Sequence, residues 1–124
     1  MGLIVDTSVL IGAERGAIDL DRLLGEQGQA EVWVAAITVS ELMHGVERAR
    51  SESVRERRQA FVDFLVDSLG IAVFGLDEAR TMGRLAARMS AAGTRAGVAD
   101  LQIAATAVTH GHAVSTLNTS EFER

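Results

Sequence analysis

The chain has 124 residues, 48% of them hydrophobic and 23% charged, with a net charge of −5. That length supports one globular domain with a substantial core. No cysteine is present, which excludes disulfides and thiolate metal sites. All twelve basic residues are arginine, which excludes a phosphate-loop lysine and a Schiff-base lysine, and the negative balance argues against nucleic-acid binding through bulk positive charge.

Residues 2–6 predict a first strand: Leu3, Ile4 and Val5 form the continuous apolar run of a strand buried on both faces. Asp6 ends that run, either to cap the next helix or to do chemistry. Thr7–Glu14 predicts a short helix, and residues 17–27 a second that exits through Gly25, Gln27 and Gly28. Residues 32–36 (VWVAA) predict the second strand, and Thr38–Arg48 a helix opening with TVSE. A longer charged helix is predicted within 47–68, its apolar stripe at Phe61, Phe64, Leu65 and Leu69. Residues 71–75 predict the third strand, Asp77–Ala92 a helix stopped by Gly93, Val98–His110 a helix stopped by Gly111, and residues 112–116 the fourth strand. Alternating strands and helices imply βαβ units around a parallel sheet.

Four acidic residues stand in corresponding places. Asp6 ends the first strand, Glu41 lies in the first turn of the helix after the second, Asp100 opens a helix, and Glu121 follows the fourth strand. In open α/β sheets, ligands bind outside the carboxyl ends of the strands. Each residue also has an ordinary explanation: Asp6 as a cap, Thr38 to Glu41 as a capping box, Asp100 as a helix-dipole partner, and Glu121 as a solvated charge. Gathered together, the carboxylates would repel one another unless they held a divalent cation, and oxygen-only ligands suit Mg²⁺ or Mn²⁺. Such an ion would supply the positive charge that the chain lacks.

Three blocks now carry a resemblance: IVDTSVLI at the start, ITVSELMHGVERA in the middle, and GVADLQIAATAVTHGHAVSTLNTSEFER at the end. Across essentially the whole chain the sequence resembles the PIN-domain ribonucleases, and closely the VapC toxins of bacterial VapBC toxin–antitoxin modules. The resemblance implies a single PIN domain over residues 1–124, built as a three-layer α/β/α sandwich with a central parallel sheet. It implies a metal-dependent endoribonuclease that inhibits translation by cutting tRNA or rRNA. Asp6 and Asp100 would be the chief ligands of Mg²⁺ or Mn²⁺, Glu41 would orient or deprotonate the attacking water, and Glu121 would assist.

Thr7, Ser8, Thr116 and Asn118 fall where the family places polar residues around the carboxylates. The fourth acidic position is glutamate where aspartate is common, and many relatives add a final edge strand where this chain stops. The resemblance further implies a homodimer and a cognate VapB-type antitoxin, whose arginine often occupies the acidic pocket.

Arg95 is a candidate RNA contact, whereas the stretch VERARSESVRERR reads as a salt-bridged solvent face. His44, His110 and His112 lack metal-ligand spacing; the last two flank Gly111 at a helix end, where a cation suits the dipole. No run approaches the roughly 20 apolar residues needed to span a bilayer. The start lacks the basic region of a signal peptide, so a cytoplasmic protein is expected.

Other chemistries are excluded or disfavoured by single residues. A receiver domain needs a lysine, a haloacid-dehalogenase-type hydrolase needs an aspartate where Ser8 stands, and a nucleotide-binding turn needs glycines that DTSVLIG lacks. The remaining rivals are a PIN-like binding module without activity and a nuclease acting on DNA.

Overall fold

The computed structural model describes residues 2–26 and 31–115. Its elements in chain order are β1 (Leu3–Val5), α1 (Thr7–Glu14), α2 (Leu20–Glu26), β2 (Val32–Ala35), α3 (Ala36–Glu47), α4 (Glu52–Ser68), β3 (Gly70–Ala72), α5 (Leu76–Ala91), α6 (Val98–His110) and β4 (Ala113–Ser115). The four strands pair in the order β3-β2-β1-β4, and every pairing is parallel. Helices cover both faces of the sheet, which gives the three-layer α/β/α arrangement expected.

Alternation along the strands divides the core in two. Leu3, Val5 and Val34 point to one face, where they pack with Val9 and Leu10 of α1, Leu42 and Val46 of α3, and Val62 and Leu65 of α4. Ile4 and Ala35 point to the other, against Ile103 and Ala107 of α6. β1 is thus buried on both sides, as its unbroken apolar run requires. Beyond α6 lies α5, which packs chiefly on α6 and completes that outer layer.

The local signals explain most boundaries. The α1 exit turns at Gly16 (φ 81°), where the amides of Ala17 and Ile18 both return to the Gly12 carbonyl. Gly111 stops α6 in the left-handed conformation that a side chain would oppose. α4 begins where the Ser51 hydroxyl accepts from the Val54 amide.

Four expectations need correction. The second helix starts at Leu20 instead of 17, because the Asp19 carboxylate accepts from the Arg22 amide and sets the cap there. The third strand is Gly70–Ala72, and Gly75 already serves as the N-cap of α5. The inward stripe of α4 runs through Phe61, Val62, Leu65 and Leu69, whereas Phe64 is 44% exposed. Finally, β2 passes directly into α3 at Ala36, two residues before Thr38. Thr38 is therefore inside the first turn, fully buried, and does not form the predicted capping box; Ala35 is the N-cap and makes no side-chain cap bond.

Candidate active site at the carboxyl ends of the strands

Asp6 is the pivot. It follows the last residue of β1, is only 2% exposed, and its amide donates to the Ser115 carbonyl of neighbouring β4. Its side chain caps α1: Oδ1 accepts from the Val9 amide at 3.2 Å and from the Ser8 hydroxyl at 2.7 Å. The capping explanation is therefore correct. It does not exhaust the residue, since both bonds fall on the same carboxylate oxygen.

Thr7, the first residue of α1, reaches across to α3. Its Oγ1 lies 2.6 Å from Glu41 Oε1 and 3.1 Å from Thr38 Oγ1. The Thr7 hydroxyl is the donor in both contacts, and the carboxylate is the stronger of its two acceptors. Thr38 and Glu41 are three residues apart on α3 and share a face. Thr7 follows Asp6 in the chain, so its bond to Glu41 ties the start of α1 to α3 across 34 positions. Glu41 itself is exposed and borders a small cavity of about 100 Å³ between α1, α3 and α4, lined also by Ile11, Leu42 and Arg58.

Asp100 is the third residue of α6 and is half-buried. Its Oδ2 lies close to the α-carbon of the N-cap residue Gly97, where a β-carbon would come within 3.8 Å. It borders a groove of about 650 Å³ between α5 and α6, which Arg88 and Met89 also line. Arg95 is exposed in the segment that leads into α6. Thr116, Asn118 and Glu121 lie outside the described residues. Among the described residues, no three carboxylates or histidines gather closely enough to hold an ion by themselves.

The donor chemistry nonetheless suits a hard cation. Mg²⁺ is usually held by one or two carboxylates, several waters and the substrate's phosphates, not by a full protein cage. A buried aspartate at a strand end, with one oxygen committed to the helix cap, provides such a ligand.

The histidines serve elsewhere. His110 Nε2 lies 2.7 Å from Glu78 Oε2, and His112 Nδ1 accepts from the Gly2 amide at 3.1 Å. The His112 ring stacks between Trp33 and His110. Gly2 and His112 precede β1 and β4, so this cluster sits at the amino ends of the strands, opposite Asp6. Glu78 caps α5 through the Gly75 amide, and that bond, more than the His110 contact, holds its carboxyl below the ordinary range. Sequence reasoning missed Glu78 and the internal role of Thr38. Only the i, i+3 spacing of Thr38 and Glu41 hinted at the latter.

A family model described as PIN domain matches residues 3–124. The chain is 36% identical over 124 residues to ribonuclease VapC1 of Rickettsia felis, covering all of this chain and 90% of that protein. It is 28% identical over 96 residues to the tRNA(fMet)-specific endonuclease VapC of Shigella flexneri, covering 77% of this chain and 70% of that one. The solved structure of DNA-bound VapBC from Salmonella typhimurium matches with a TM-score of 0.88 at 26% identity, covering 100% of this chain and 92% of that one.

Proposed function

The chain belongs to the PIN-domain family and groups with the VapC ribonucleases, and from this we propose that it is the endoribonuclease toxin of a toxin–antitoxin pair, cutting RNA with the help of Mg²⁺ or Mn²⁺. The observation that supports the reading is the buried Asp6 at the end of β1, followed by Thr7, whose hydroxyl donates to Glu41 of α3.

In this reading Asp6 and Asp100 hold the cation, with Glu121 assisting. When bound, the ion supplies positive charge and Lewis acidity to the phosphodiester. Glu41 takes the proton from the attacking water as the new phosphorus–oxygen bond forms and the old one breaks. The Thr7 bond engages Oε1, which assigns Oε2 to that proton. Thr7 and Ser8 keep the two carboxylates oriented, and Thr116 and Asn118 complete the polar surround. Arg95 contacts the RNA backbone.

Transfer RNA is the substrate class supported by the name of the Shigella relative, with ribosomal RNA the alternative. The solved VapBC complex supports a VapB-type antitoxin as partner. A toxin homodimer that assembles with antitoxin, in the cytoplasm, belongs to the same reading. Among the described residues no helix is long and apolar enough to cross a membrane.

One observation favours the rival, a PIN-like module that binds without cutting: no three acidic groups gather among the described residues. The test is incubation of antitoxin-free protein with tRNA and rRNA in Mg²⁺, Mn²⁺ or EDTA, beside Asp100→Asn checked for folding. Cleavage that needs metal and vanishes in the variant supports the nuclease. Binding of RNA without cleavage in either metal supports the module.

A further inference from the structure

Thr38 is the most buried polar residue near the site, with no exposed surface, and its one side-chain hydrogen bond among the described residues goes to Thr7. A hydroxyl at a fully buried position needs a partner, because its desolvation is otherwise uncompensated. Its partner is in turn the residue that donates to Glu41.

The three side chains form a relay of contacts centred on Thr7. The Thr7 hydroxyl is the donor toward both Thr38 Oγ1 at 3.1 Å and Glu41 Oε1 at 2.6 Å. The relay begins in the sheltered turn of α3, crosses to the first residue of α1, and returns to α3 at an exposed carboxylate. An exposed glutamate has free rotamers in water, so its pose depends on what holds it. Thr7 alone could turn its proton toward other acceptors. With the buried Thr38 Oγ1 anchoring the Thr7 hydroxyl from its inner side, Thr7 is held in the rotamer that reaches Glu41.

We propose that Thr38 is a positioning residue for the reaction: it orients the Thr7 hydroxyl, which holds Glu41 in the pose from which it accepts the water proton. This rests on the nuclease reading for its catalytic consequence, but its geometric content stands apart from that reading. Valine has nearly the shape of the fully buried Thr38, so removing the hydroxyl need not disturb packing between α1 and α3.

The experiment compares wild type, Thr38→Val and Thr38→Ser by crystallography and by steady-state RNA cleavage, with thermal unfolding as the folding check. In Thr38→Val the Glu41 carboxylate leaves Thr7 and kcat falls about tenfold with KM within about twofold, a fraction of what a general base contributes. Thr38→Ser restores both the contact and the rate. A role in packing alone predicts the reverse, since serine loses the methyl group that valine keeps. The inference is overturned if the Thr7–Glu41 contact persists in Thr38→Val, or if wild type cleaves RNA and the valine variant keeps its kcat. A wild-type protein that does not cleave RNA defeats the nuclease reading, and the crystallographic comparison still decides whether Thr38 positions Glu41.

Discussion

Asp6 carries two roles that a single pair of substitutions separates. As a cap, its Oδ1 receives the Val9 amide and the Ser8 hydroxyl. Asparagine offers a carbonyl oxygen in the same place and caps helices about as well as aspartate, whereas alanine forfeits about 1 kcal/mol. Unfolding entropy of about 2.1 cal/mol/K per residue amounts to about 0.26 kcal/mol/K for a chain of this length, so each kcal/mol moves Tm by about 4 °C. Asp6→Ala should therefore lower Tm by about 4 °C, and Asp6→Asn by about 1 °C or less. If Asp6 also holds the cation, Asp6→Asn loses RNA cleavage by at least about a hundredfold while remaining folded. The assay is scanning calorimetry on both variants beside metal-dependent cleavage under one buffer. Equal destabilisation by asparagine and alanine would refute the capping argument, and wild-type cleavage by Asp6→Asn would refute the catalytic one.

Two further predictions concern the scaffold. Because the Glu78 carboxyl is held below its ordinary range, chiefly by the Gly75 amide, its contribution to stability is present above the unfolded value of about 4.3 and is lost as pH falls through the lower folded value. Glu78→Gln should therefore lower Tm at pH 6, with the difference narrowing as pH falls through the acid range; parallel curves across that range would contradict the assignment. Leu65, 1% exposed, should cost about 2–5 kcal/mol when replaced by alanine, whereas exposed Phe64 should cost about 1 kcal/mol or less. Urea midpoints for the two variants check the inward face of α4, and similar losses would contradict it.

Where structure followed from neighbours in the chain, the sequence was readable. The apolar run of β1, the helix from Thr7 to Glu14 and the stop at Gly111 all came from residues within a few positions of one another. Where it followed from packing, reading failed. TVSE satisfies the spacing of a capping box, yet Ala35 and Ala36 let the helix begin earlier and turn Thr38 inward. What occupies Thr38 there is Thr7, 31 residues distant, and no local pattern announces that pairing. Phe64 is more apolar than its surroundings require, and the burial of Val62 instead depends on how α4 lies against α3 and the sheet. For the site, the strand-end position of Asp6 was legible from chain geometry. The contact of Thr7 with Thr38 and Glu41 was not, because it depends on the tertiary approach of two helices.

The central claim is that the carboxylate ending β1 holds a divalent ion. The most direct test is Mn²⁺ binding by paramagnetic resonance to antitoxin-free wild type, Asp6→Asn and Asp100→Asn, with no RNA present. The account predicts binding by wild type that is strongly weakened in both variants, each still folded. Undiminished binding by Asp6→Asn, or no binding by wild type, would contradict it.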